Sequence, residues 1–151
     1  MSDNTKIEMQ RVADFIFEGN LLSADDLKSF RSILTRKFYK KGSYLISPGE
    51  KAEKFFIVKE GIIRNFLICK ESKEHTKVFH GPGGLLGSYS EYLANRETLY
   101  YIEAVSNTTV DSFLMEDLVE LIGESASWLK VQKILAEASF LDKEERKYRN
   151  N

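Results

Sequence analysis

The stretch from Tyr39 to Arg64 reads YKKGSYLISPGEKAEKFFIVKEGIIR. A short extended segment ends at Gly42, and a second, Ser43 to Ser47, ends at the turn pair Pro48-Gly49. Charged residues then lead into the apolar run Phe55-Phe56-Ile57-Val58, and Gly61 breaks the chain again. Pro presets φ for a turn and Gly accepts φ values that other residues avoid, so these positions punctuate short strands. Strands separated by such turns form the front half of a small β-roll.

Working outward, the strand-and-turn pattern extends from Arg36 to Met115. It predicts strands at Lys37–Lys40, Tyr44–Ile46, Phe55–Lys59, Ile62–Cys69, Lys77–His80, Leu85–Leu86, Leu99–Val105 and Thr109–Leu114. Alternation along Leu99–Val105 puts Tyr100, Ile102 and Ala104 on one face. A polar loop, Lys70 to Thr76, joins two strands as a hairpin. Many short strands in so few residues suggest a roll or jelly roll, which limits exposed edges by wrapping.

Helical periodicity flanks the strands. Thr5 to Glu18 carries Ile7, Val12, Phe15 and Ile16 near one side and stops at Gly19-Asn20. Ser23 is a good N-cap for a second helix, with Asp25 and Asp26 in its first turn and a stripe of Leu27, Phe30, Ile33 and Leu34. After the strands, Glu116 to Ile122 is a short helix ending at Gly123. Ser125 or Ser127 caps a long helix from Trp128 to about Arg149. Along it Val131, Ile134, Ala138, Leu141 and Tyr148 fall near a 3.5-residue repeat, broken by Glu145. The fold class is therefore mainly β with flanking helices: a double-stranded β-roll with N-terminal helices and a long C-terminal helix. The division is 1–35 for the N-terminal helices, 36–115 for the roll, and 116–151 for the short and long helices.

Composition narrows the function. Twenty-two basic residues against 23 acidic give a net charge of −1, without the basic excess of a standing nucleic-acid surface. The basic residues Lys143, Arg146, Lys147 and Arg149 alternate with Glu144 and Glu145 and read as a solvated helix face. Cys69 is the only cysteine, so no intramolecular disulfide forms, and the chain fits a reducing cytoplasm. One thiolate cannot hold an iron–sulfur cluster. The start, MSDNTKIEMQ, has no apolar core of the kind a signal peptide needs, and no apolar run is long enough to span a membrane. His75 and His80 are too few for a cupin-type metal site. No Gly-x-Ser-x-Gly and no P-loop occurs. Enzymatic activity, metals and cofactors are thus not expected.

Three segments together resemble the cyclic-nucleotide-binding-domain family, and within it the effector domains of Crp/Fnr-type transcription regulators. They are PGEKAEKFFIVKEGIIR with its turn glycines Gly49 and Gly61, the run Gly83-Gly84-Leu85-Leu86-Gly87, and the strand pair, short helix and long helix after Leu99. The second is similar to the opening of the family's phosphate-binding cassette. The resemblance implies a small-molecule pocket built by Gly84, Leu86, Gly87, Ser88, Tyr89 and Ser90, and by Arg96, Thr98, Leu99 and Tyr100. It also implies a homodimer through Trp128, Val131, Ile134, Leu135, Ala138 and Leu141. Family members read DNA with a helix-turn-helix beyond the long helix. This chain stops at Asn151, so DNA contact is expected only through a module outside it.

The sequence departs from the family where the phosphate is held. A family Glu that takes the ribose hydroxyl is Ser88 here, and the Arg that clamps the cyclic phosphate is replaced at Thr98-Leu99. A buried phosphate monoanion needs a charge-assisted donor, which Thr does not supply. Three readings stay open. The first is an effector domain for a small molecule other than cyclic AMP. The second is a ligand-free dimerisation module. The third is a cyclic-nucleotide binder in which Arg96 replaces the clamp.

Overall fold

The computed structural model describes residues 22–68, 71, 73–123, 125–130 and 133. The first helix, α1 (Ala24–Ser32), begins as its sequence predicts: Ser23 accepts the Asp26 N–H at 3.2 Å, with Asp25 and Asp26 in the first turn. The predicted helix at 5–18, Cys69 and the predicted helix beyond 133 lie outside the described residues.

Eight strands follow: β1 (Thr35–Tyr39), β2 (Tyr44–Ile46), β3 (Lys54–Glu60), β4 (Ile63–Ile68), β5 (Glu74–His80), β6 (Leu85–Gly87), β7 (Tyr101–Ala104) and β8 (Thr108–Leu114). They form two four-stranded sheets, ordered β1-β8-β3-β6 and β2-β7-β4-β5, with every pairing antiparallel. Two helices complete the described fold: α2 (Tyr89–Leu93) between β6 and β7, and α3 (Met115–Ile122) after β8. Residues 126–130 begin another helical segment.

β3 explains why the sheets face each other. Its apolar run is buried on both sides, with Phe55, Phe56, Ile57 and Val58 each no more than 3% exposed. Successive side chains of a strand point to opposite faces. Phe56 and Val58 therefore enter the space between the sheets, where Leu45, Ile46, Ile63, Leu86, Ile102, Ala104 and Val110 meet them. Phe55 and Ile57 face outward and pack with Phe30 of α1, Phe113 of β8, Met115 and Leu118 of α3, and Trp128. Burying each such side chain is worth about 1.5–3 kcal/mol. The helices thus cover one face of the first sheet while the second sheet covers the other.

Three predicted boundaries shift by two residues or more. β1 begins at Thr35 rather than Lys37, because an edge strand pairs through its backbone and needs no apolar alternation; Thr35 to Phe38 are all exposed. Arg36 fastens this edge by two bonds to Asp111, Nε to Oδ1 at 3.0 Å and Nη2 to Oδ2 at 3.3 Å. β5 begins at Glu74 rather than Lys77, since Glu74, His75 and Thr76 pair with Ile68, Leu67 and Phe66. β7 begins at Tyr101, so Tyr100 precedes the strand while Ile102 and Ala104 point inward as predicted.

Gly61 makes the turn between β3 and β4 with φ +93°. A Cβ there would stand 2.4 Å from the Asn107 carbonyl oxygen and 2.6 Å from Thr108 Oγ1. Gly61→Ala should therefore cost about 2–3 kcal/mol from strain at positive φ plus the clash. Urea unfolding should show a lower midpoint at an unchanged slope.

Candidate functional site

The cassette starts where the chain leaves β5. Val58 of β3 grips this loop from both sides: its carbonyl accepts the Gly83 N–H at 2.8 Å and its N–H donates to the Gly84 carbonyl at 2.9 Å. That double bond sets the register in which Leu86 opposes Phe56 and enters the inter-sheet core. Gly87 faces the other way. A Cβ on it would lie 2.3 Å from Phe55 Cδ1, so only glycine lets the cassette lie against that ring.

Ser88 is buried, at 8% exposure, and begins α2 without a side-chain capping bond. Its carbonyl accepts the Tyr92 N–H at 2.9 Å. Tyr89 is half-exposed, with its ring edge toward Phe55 at 6.3 Å, and so turns to the helix side rather than between the sheets. Ser90 is exposed. Asn95, at φ +54°, closes α2. Beyond it the Arg96 N–H donates to the Glu91 carbonyl at 2.8 Å, and the Arg96 residue is exposed.

Thr98 is 1% exposed and fully committed. Its hydroxyl donates to the Ser47 carbonyl at 2.9 Å, its N–H donates to the Glu50 carbonyl at 2.8 Å, and its carbonyl accepts the Gly49 N–H at 3.0 Å. At the position where the family resemblance implies the phosphate clamp, this chain has a side chain that locks the β2–β3 turn. Leu99 is 63% exposed, and Tyr100 is partly buried.

The opposite wall is the inner face of the second sheet. Asn65 pairs with Ile102 of β7 and Val78 of β5, and paired residues share a face, so Asn65 looks between the sheets. The space is filled where Ile63, Ile102 and Ala104 meet, each at most 2% exposed. Asn65, Leu67 and Val78, farther along the same face, are intermediate in exposure. Asn65 Oδ1 is buried and accepts no hydrogen bond among the described residues. Leaving a buried acceptor unpaired costs about 1–3 kcal/mol, so this oxygen suits a ligand with a hydrogen-bond donor.

The neighbouring cation is not available to that space. Arg64, one residue before Asn65, points to the outer face, where it donates to Glu103 at 2.7 Å and Glu74 at 3.0 Å. Its guanidinium also lies 4.1 Å over the Phe66 ring, which stacks on Tyr101. No Arg or Lys is among the buried residues described, and no cluster of ligating side chains suited to a metal occurs among them. None of the described helices is long and apolar enough to cross a membrane. A shallow open groove lined by Ala126, Ser127, Leu129, Lys130 and Lys133 contains no cassette residue.

The structure thus brings Gly84, Leu86, Gly87 and Ser88 together along one edge of the inter-sheet space. It places Tyr89, Ser90, Arg96 and Leu99 at the surface and ties Thr98 into a turn. Asn65 was missed, although a polar residue between Ile63 and Leu67 on an alternating strand is a legible signal. Trp128, expected at a dimer seam, is 2% exposed in the chain's own core, edge-on to Phe30 at 5.2 Å. Val131, Ile134, Leu135, Ala138 and Leu141 lie outside the described residues.

None of the curated proteins matches this sequence. The fold recurs in the sensor domain of the transcriptional regulator DNR from Pseudomonas aeruginosa, with a TM-score of 0.72 at 16% identity, covering 91% of this chain and 90% of that one. The catabolite activator protein of Thermus thermophilus aligns with a TM-score of 0.65 at 22% identity, over 89% of this chain and 59% of its own. The c-di-GMP-responsive global regulator CLP of Xanthomonas campestris aligns with a TM-score of 0.67 at 14% identity, over 83% of this chain and 63% of its own. This chain therefore spans about three fifths of the length of those two regulators. The family model described as "Cyclic nucleotide-binding domain" matches residues 36–125, the part of the chain that holds both sheets, the cassette and α3. This chain belongs to the cyclic nucleotide-binding domain family.

Proposed function

We propose that this chain is the ligand-sensing effector domain of a Crp/Fnr-like transcription regulator, and that its effector is a small molecule other than cyclic AMP. The observation that carries this reading is Thr98. A cyclic phosphate buried beside the cassette requires a charged, bidentate donor. The residue at that position is neutral, and its hydroxyl is already spent on the Ser47 carbonyl. Ser88 replaces the family's ribose-binding carboxylate in the same cassette. The buried Asn65 oxygen, which accepts no hydrogen bond among the described residues, favours a bound ligand over a roll that has lost its response.

In this reading the effector sits between the cassette and the inner face of β4. It acts on the long C-terminal helix, through which two copies pair in the cytoplasm. A ligand shifts such an arrangement only by binding its two states unequally. No residue is assigned a catalytic role.

A thermal-shift titration of the chain tests the ligand class, because a ligand that binds only the native state raises the melting temperature. Cyclic AMP and cyclic GMP should give no shift, and a metabolite without a cyclic phosphate should give one. A cyclic AMP shift would mean that Arg96 or another donor replaces the clamp. Silence across the whole panel would favour the ligand-free dimerisation module. Ser88→Glu with Thr98→Arg should gain measurable cyclic AMP affinity at some cost in stability, and a flat titration of the folded double variant counts against the placement of the clamp at Thr98. Val131→Glu with Ile134→Glu should halve the mass seen by light scattering, and an unchanged mass removes the long helix as the dimer seam.

A further inference from the structure

Two helix starts about a hundred residues apart share one carboxylate. Asp26, in the first turn of α1, accepts the Ser127 hydroxyl on Oδ2 at 2.6 Å and the Ser125 hydroxyl on the same oxygen. The serines are linked in turn to both helix starts. The Ser23 N–H donates to Ser127 Oγ at 3.4 Å, and the Trp128 N–H donates to Ser125 Oγ at 3.4 Å. The Leu129 N–H closes the first turn on the Ser125 carbonyl at 3.1 Å, so Ser125 is the N-cap of the segment that begins at 126. The Ser125 and Ser127 hydroxyls hold the Asp26 carboxyl below its ordinary value, against an opposing effect of burial.

One residue past these serines, Trp128 is driven into the helix-side core. Its ring meets Phe30 of α1 edge-on at 5.2 Å, and Phe30 meets Phe113 of β8 edge-on at 5.8 Å. Trp128 Nε1 is buried and donates to no acceptor among the described residues. Buried indole N–H groups ordinarily find a partner. The apolar body of the ring favours this seat and its polar edge opposes it, whereas both hydroxyls of the adjacent serine–carboxylate cluster donate to Asp26 Oδ2.

We infer that Asp26 is a releasable pin that fixes the start of the C-terminal helical segment to the roll, and that it holds Trp128 in a seat its indole N–H disfavours. Losing the pin loosens Trp128 and the helix start together, while the two sheets, which make no contact with the cluster's hydrogen bonds, stay folded. The pin stands on this geometry alone. Its use in signalling rests on the function proposed above, since it lies where the roll hands over to the long helix.

Trp128 is the chain's only tryptophan, so its fluorescence reports this joint directly. Acrylamide quenching of the full chain, without ligand, is compared for the parent, Asp26→Leu and Ser127→Ala. Asp26→Leu should raise the quenching constant at least about twofold and shift emission to the red, by local opening rather than global unfolding. Ser127→Ala, which removes one bond to the pin and leaves the Ser23 and Ser125 caps in place, should give a smaller rise. Both should keep the parent far-UV circular dichroism and one cooperative melt. Parent-like quenching in both variants overturns the inference, even with a lowered melting temperature, because the cluster would then be ordinary capping. If Asp26→Leu does not fold, the Ser127→Ala comparison decides by the same criterion. A ligand-free measurement of this kind cannot fail for want of the right effector, so its failure is separate from failure of the sensing role.

Discussion

β3 carries two cores at once. Four consecutive apolar residues leave it no solvent face, so a sheet must lie on one side and helices on the other. The other elements are arranged around that demand. β8 and β6 flank β3 in its own sheet, the second sheet closes over Phe56 and Val58, and α1, α3 and Trp128 close over Phe55 and Ile57. A strand buried on both faces reads as a continuous hydrophobic run rather than an alternating one. The cassette depends on the same strand. Val58 holds the glycine loop by its backbone, Leu86 opposes Phe56, and Gly87 exists as glycine because the Phe55 ring is there.

The site built on this frame keeps the family's backbone and changes its chemistry. The glycine loop, the short helix and the connection back to the second sheet are in place, yet at the positions where the resemblance implies the ribose and phosphate contacts stand a buried serine and a turn-locking threonine. Arg64, next to Asn65 in the chain, is turned outward and held by two carboxylates and an aromatic face. What the inner wall offers instead is a buried amide oxygen, Asn65 Oδ1, that accepts no hydrogen bond among the described residues. In the function proposed above, an electrostatic clamp is exchanged for neutral hydrogen bonding while the fold stays the same.

The joint with the C-terminal segment follows the same logic of divided labour. Apolar burial places Trp128, and a small polar cluster decides how firmly it stays. The cluster can be weakened without breaking the pairing of either sheet, because none of its hydrogen bonds belongs to a sheet.

Local chemistry made much of this legible in the sequence. Pro48-Gly49 and Gly61 marked the turns, the Phe55–Val58 run marked the central strand, Ser23 marked the first helix, and the glycines before Ser88 marked the cassette. These are short-range effects of backbone freedom, capping and apolar periodicity, and each is specified by residues adjacent in the chain. The lack of a charge at Thr98 was legible for the same reason, since a charge is either present at a position or absent. What only the tertiary structure decided depends on contacts between distant residues. Tyr89 turned to the helix side because Phe55 stands there. Trp128 went into its own core because Phe30, in a helix near the other end of the chain, supplies the facing ring. Thr98 acquired its role from Ser47, and Asp26 from Ser125 and Ser127. A sequence states which groups a residue carries, but which of several compatible partners satisfies them is settled only when the sheets close and bring those partners within bonding distance.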